Sequence, residues 1–143
     1  MENPDKPFVP GKWPCFQKGK DLSLLCVGTM VRHGLQVARL LNKKGYSAAV
    51  YNCSSVRPLD PDTLRAIQGK AFFTMEEHMV TGGFGAYVRE KCREMGLREP
   101  EICFGVQDRY LQHGNHSLLM RDAGLDPDHM TECIVDRMER SKD

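Results

Sequence analysis

The chain is short of the features that mark membrane, secreted or nucleic-acid proteins. It has no apolar run approaching the roughly 18 to 20 residues needed to cross a bilayer. Its start, Met1-Glu-Asn-Pro-Asp-Lys-Pro7, lacks the basic and hydrophobic segments of a signal peptide. A cytoplasmic protein without membrane contact is the expectation. A surplus of one charge is also missing: Lys+Arg 20 against Asp+Glu 19 leave a formal +1, with no lysine or arginine block, and aromatics make up only 8%. That balance disfavours nucleic acid as a partner. The cysteines at 15, 26, 53, 92, 103 and 133 include no pair separated by two residues and none set at zinc-ligand spacing from a histidine. They read as small buried hydrophobes. With 143 residues the chain suffices for one ordinary core, and a separate second domain is not expected.

What remains is an alternation of strand and helix. Residues 1–18, with prolines at 4, 7, 10 and 14, form an irregular lead-in. Asp21 to Val27 is an apolar strand ending in the turn Gly28-Thr29. Met30 to Lys44 then places Val31, Leu35, Ala38 and Leu41 on one helical face and stops at Gly45. A strand over 48–53, a break at Arg57-Pro58-Leu59-Asp60-Pro61, a short helix over 62–68, a strand over 71–75, a helix over 85–95 and a strand over 102–106 follow. The polar segment 107–114 should be a surface loop. Asn115 or Ser117 can begin a short helix, and Asp126-Pro127 caps a last one, in which Met130, Ile134 and Met138 recur every four residues. Such alternation predicts parallel strands with helices on both faces of the sheet.

The stretch from Thr74 to Ala86 holds the candidate site. A strand gives way there to the charged turn Glu76-Glu77-His78 and then to the glycines 82, 83 and 85 at the start of a helix. Open α/β sheets take ligands at such strand ends, and helix-start amides favour anions. The plainer alternative has Glu76 accepting hydrogen bonds from nearby loop amides, His78 filling a turn or a dimer contact, and the glycines allowing a tight strand-to-helix turn. Asp108, Arg109 and His113 follow the next strand and belong to the same edge, where they suit a polar network or an interface better than catalysis. His33, His116 and His129 show no ligand spacing, and Arg57 reads by itself as a solvated arginine. A cysteine-dependent enzyme would need a reactive thiol near His78 or His113, and Cys53 is its one candidate.

Five motifs in order resemble a known family. They are Gly19-Lys-Asp-Leu-Ser-Leu-Leu-Cys-Val-Gly-Thr-Met-Val31, Val56-Arg-Pro-Leu-Asp60, Glu76-Glu-His-Met-Val-Thr-Gly-Gly-Phe-Gly85, Gly105-Val-Gln-Asp-Arg-Tyr-Leu-Gln-His-Gly114 and Ala123-Gly-Leu-Asp126. Together they resemble the C-terminal domain of transketolase-type enzymes, closest to transketolases and 1-deoxy-D-xylulose-5-phosphate synthases, over roughly residues 17–140. The resemblance implies a three-layer α/β/α fold around a five-stranded, mostly parallel mixed sheet with one antiparallel strand, placed here near Trp13 to Lys18. It divides the chain into a lead-in over 1–18 and the domain proper over 19–143.

The resemblance also implies what this chain leaves to others. In the family, thiamine diphosphate and magnesium are held by an N-terminal and a central domain, and no Gly-Asp-Gly segment followed by paired asparagines occurs in this sequence. Glu76 and Glu77 match the C-terminal domain and not the activating glutamate of the central one. No cofactor, metal or catalytic residue is therefore expected in this domain. Its expected partners are the catalytic domains or subunits of the parent enzyme, within a homodimer. Glu76, Glu77, His78, Gly82, Gly83, Gly85, Asp108, Arg109 and His113 are its binding or interface candidates. The alternative is a free-standing regulatory module that binds a small phosphorylated metabolite or nucleotide at the strand-end cleft.

Overall fold

The computed structural model describes residues 9–79, 83–106 and 125–141. Five strands, β1 (Cys15–Gln17), β2 (Leu22–Cys26), β3 (Ala48–Asn52), β4 (Ala71–Met79) and β5 (Ile102–Val106), form one sheet in the order β1-β3-β2-β4-β5. β1 runs antiparallel to β3, and every other neighbouring pair is parallel. This is the mixed α/β sheet expected, with its antiparallel strand where the resemblance places it. Pro14 does not obstruct that edge, because it takes part as an acceptor: the Asn52 amide donates to its carbonyl at 2.9 Å.

The helices among the described residues are α1 (Met30–Lys43), α2 (Pro61–Ala66), α3 (Phe84–Glu94) and α4 (Pro127–Arg140). Strand alternation divides the core in two. Leu22, Leu24, Cys26, Phe73 and Met75 face α1 and α4, meeting Val37, Leu41, Met130 and Ile134. Leu25 and Phe72 point the other way, toward Leu64 and Ile67 at α2 and Val88 and Cys92 of α3. β2 is buried along its whole length, on both faces, and so reads as a nearly continuous apolar run broken only by the small Ser23. The Asp-Pro signal works twice: Asp126 accepts from the His129 amide to cap α4, and Asp60 accepts from the Thr63 amide to cap α2.

Two expectations change. The strand read as 71–75 runs on through Glu76-Glu77-His78 to Met79, because β5 pairs with it that far. Between the pairs Met75↔Phe104 and Met79↔Val106, four steps along β4 match two along β5, so the charged segment is a bulge within the strand and not a turn after it. The lead-in, moreover, is part of the folded unit from Trp13 onward. Trp13 is 5% exposed, its amide donates to Asp60 at 2.9 Å, and its indole Nε1 donates to the Ser55 carbonyl at 2.7 Å. A single tryptophan among prolines carries no periodicity, and its partners lie more than forty residues away. The loop 107–114 and the helix expected from Asn115 or Ser117 fall outside the described residues.

Candidate functional site

The order of strands puts a topological switch between β2 and β4. The crossover from β2 through α1 reaches β3 on one side of β2, and the next one returns through α2 to β4 on the other. The crevice beyond the carboxyl ends of β2 and β4 is the ligand position of an open α/β sheet. The candidate residues of β4 and the helix start converge there.

Glu76 follows Phe72 and Thr74 on the face covered by α3, and it is fully buried. Its carboxylate accepts from the Phe84 amide at 2.8 Å and the Gly85 amide at 2.5 Å. These amides belong to the first turn of α3, where no intrahelical acceptor exists and the helix dipole is positive. The anion that this pole attracts is thus supplied from within the chain. Glu77 points to the opposite face, where the Thr29 hydroxyl, at the start of α1, donates to its carboxylate. Two adjacent glutamates therefore serve the starts of two helices on opposite sides of one sheet.

Gly85 is required by close approach. A Cβ there would lie 2.8 Å from Cys103 Cβ, 2.8 Å from Thr74 Oγ1 and 3.0 Å from Cys103 Sγ. The helix start sits directly on β4 and β5, and this is the packing role the plainer reading gave the glycines. Gly83 is the N-cap of α3 in extended backbone, a conformation open to other residues. Thr74 Oγ1, buried beside Gly85, has no hydrogen-bond partner among the described residues. The sequence contains no sign of it, since a threonine in a strand is ordinary.

The His78 side chain, Gly82, Asp108, Arg109 and His113 lie outside the described residues, so Glu76, Glu77, Gly83 and Gly85 are the candidates whose positions are described. Arg57 is not merely solvated: its guanidinium lies 4.7 Å from the centroid of the Tyr87 ring, tying the loop after β3 to α3. Cys53 is buried, and burial, with Cys26 beside it, pushes its thiol well above the ordinary value. A reactive-thiol enzyme built on it has no accessible nucleophile. Cys26 and Cys92 are buried too, and none of the six cysteines forms a disulfide. Among the described residues no three His, Cys, Asp or Glu cluster to hold a metal ion, and no helix is long and apolar enough to cross a membrane.

Comparison with known proteins agrees with this geometry. The family profile described as "Transketolase, C-terminal domain" matches residues 11–130. The chain is 32% identical over 145 residues to 1-deoxy-D-xylulose-5-phosphate synthase of Pelotomaculum thermopropionicum, which covers 99% of the chain and 23% of that relative. It is 34% identical over 139 residues to the enzyme of the same name from Thermosynechococcus vestitus, covering 96% of the chain and 22% of the relative. Among solved structures, one titled "Split gene transketolase, inactive beta4 tetramer" superposes with a TM-score of 0.85 at 28% identity, over 96% of this chain and 46% of the other. Transketolase of Campylobacter jejuni shares the fold at a TM-score of 0.65 and 17% identity, over 95% of this chain and 20% of the other.

Proposed function

The chain belongs to the transketolase C-terminal domain family, and we propose that it is the non-catalytic C-terminal domain, or a small-subunit piece, of a thiamine-diphosphate-dependent transferase of the transketolase or 1-deoxyxylulose-5-phosphate synthase type. Its role is subunit association and assembly. The observation that carries this reading is the engagement of the α3 helix start by Glu76: the sheet edge where an open α/β domain would take a ligand is satisfied by the chain's own carboxylate. An edge so satisfied suits packing against other lobes. The share of the curated relatives that the chain spans, 23% and 22% of their lengths, supports a division of labour in which the chemistry lies elsewhere.

The donor set of the described residues does not fit a magnesium diphosphate. They offer no cluster of three acidic or imidazole ligands, and the nearest helix pole already holds a carboxylate. Thiamine diphosphate and magnesium are accordingly assigned to the catalytic domains or subunits that this chain would join in a homodimeric enzyme. Glu77, His78, Gly82, Gly83, Asp108, Arg109 and His113 are proposed as the edge facing those partners, with the buried Glu76 and Gly85 fixing the helix start behind it.

Two measurements test the reading. Calorimetry of the purified chain with thiamine diphosphate and magnesium should show no saturable heat, and ketol transfer should be absent until catalytic subunits are added. Micromolar cofactor affinity, or turnover by the chain alone, overturns it. Hydrogen exchange in the assembled enzyme should then show protection gained over 76–85 and not on the outer face of α1.

A further inference from the structure

The nearly neutral net charge conceals a segregation of charges. The described arginines and lysines at 12, 65, 89, 93, 98, 137 and 140 each face a carboxylate. Lys18, Lys20, Arg32, Arg39, Lys43 and Lys44 have no such partner among the described residues, and all are exposed; elsewhere Lys70 and Lys91 also lack one but stand singly. Between residues 18 and 47 the one carboxylate is Asp21, which accepts from the Ser47 amide at 2.6 Å. Glu139, reaching over from α4, is engaged by the Tyr46 hydroxyl. Lys43 and Lys44 lie at the carboxyl end of α1, where cations answer the helix dipole. Lys18 and Arg39 have no such explanation.

These two cations line one groove. α1 packs on β2, β3 and β4 and leaves the short edge strand β1 largely uncovered. The trough that results has a volume of about 430 Å³. Besides Lys18 and Arg39, its walls carry Gln17, Asn42 and Ser47, with no acidic residue among them. Gln17 is oriented by donating its Nε2 to the Ala48 carbonyl at 3.2 Å, which leaves its carbonyl oxygen to the groove side chains. The Ser47 hydroxyl accepts from the Lys20 amide at 3.2 Å and keeps its own proton to donate. The volume suits one small molecule, and an arginine fork beside a lysine suits an oxyanion. The groove lies at the amino end of β3, away from the edge at Glu76.

We propose that this groove is a binding site for a small multivalent oxyanion, a phosphate ester or a di- or tricarboxylate. Two-dimensional NMR titration of the full chain with inorganic pyrophosphate, and separately with citrate, tests it. Saturable shifts are expected at the amides of Asn42, Ser47 and Ala48. Saturation by pyrophosphate alone identifies the phosphate source, and saturation by citrate the carboxylate source. The double substitution Lys18→Ala with Arg39→Ala should weaken binding by roughly tenfold or more, since two charge-assisted contacts are lost. Lys43→Ala with Lys44→Ala, outside the groove lining, should change it little. The four substituted cations are exposed and have no carboxylate partner among the described residues, so the spectra of both variants should match the parent's before titration. Shifts that rise linearly over the whole basic face, that survive the Lys18 and Arg39 substitutions, or that appear instead at 83–85 overturn the proposal.

Discussion

Trp13 meets Phe84 edge to face, with ring centroids 5.8 Å apart and planes at 65°. Phe84 is thereby held twice, through its ring by the segment that precedes the sheet and through its amide by Glu76. The first turn of α3 is the point where lead-in, strand and helix lock together. The stability of the proposed partner-facing edge depends on that lock.

Glu76 should be the most sensitive polar position of this edge. Replacement by alanine leaves two buried amides without an acceptor and empties a fully packed position. A loss of about 3 kcal/mol is expected. Glu76→Gln keeps an acceptor for one amide and should cost about half as much. Urea unfolding checks both, and equal losses for the two variants would count against the capping role.

Gly85 and Thr74 make a second pair. Alanine at 85 gains up to about 1 kcal/mol of helix propensity, yet its methyl would sit 2.8 Å from Cys103 Cβ and Thr74 Oγ1. Overpacking of that kind costs about 1 to 3 kcal/mol, so Gly85→Ala should be a net loss. Thr74→Val replaces an unpartnered buried hydroxyl with a methyl group of similar shape and should stabilise by about 1 kcal/mol. A destabilised Thr74→Val protein would show that the hydroxyl has a partner after all.

Asp60 joins three contacts: the Trp13 amide at 2.9 Å, the Thr63 amide at 3.1 Å and the Thr63 hydroxyl at 2.7 Å. Asp60→Ala uncaps α2 and frees the lead-in, for an expected loss of about 2 to 3 kcal/mol. Proteolysis should then cut near residue 13 sooner than in the parent. Unchanged protease sensitivity there would separate capping from clamping.

Alkali should destabilise the fold through its buried thiols. Burial pushes Cys92 up to about 11 from the ordinary 9.0, and it lifts Cys26 and Cys53 further. Above about pH 9 the unfolded chain loses these protons while the folded one keeps them, so the unfolded state binds fewer protons and stability falls as pH rises. Each thiol contributes a slope of at most about 1.4 kcal/mol per pH unit across that window. Cys92→Ala should flatten the dependence of the urea midpoint on pH between about 9 and 11. An identical slope in the variant would exclude Cys92 as a contributor.

Most of the elements were legible in the sequence because their signals are local. The four-residue recurrence of Met130, Ile134 and Met138, the stop at Gly45 (φ 91°) and the Asp126-Pro127 cap each lie within one helical turn or beside it. Asp60-Pro61 carries the same cap signature and starts α2 one residue before the sequence-based boundary. The site was legible only in outline. That Glu76 accepts amide hydrogen bonds could be anticipated, but not that the strand bulges through Glu76-Glu77-His78, since the bulge is set by pairing with Val106.

By itself, then, the amino-acid sequence determined the order of strands and helices, their apolar faces and the family, because periodicity, caps and motif spacing are properties of short stretches. Tertiary structure alone decided that Trp13 belongs to the core, that Glu76 and Glu77 serve different helices, and that Lys18 and Arg39 share a groove. The physical reason is distance along the chain. Those relationships join residues from eight to more than forty positions apart, and such contacts are chosen by the packing of whole faces and not by any local preference.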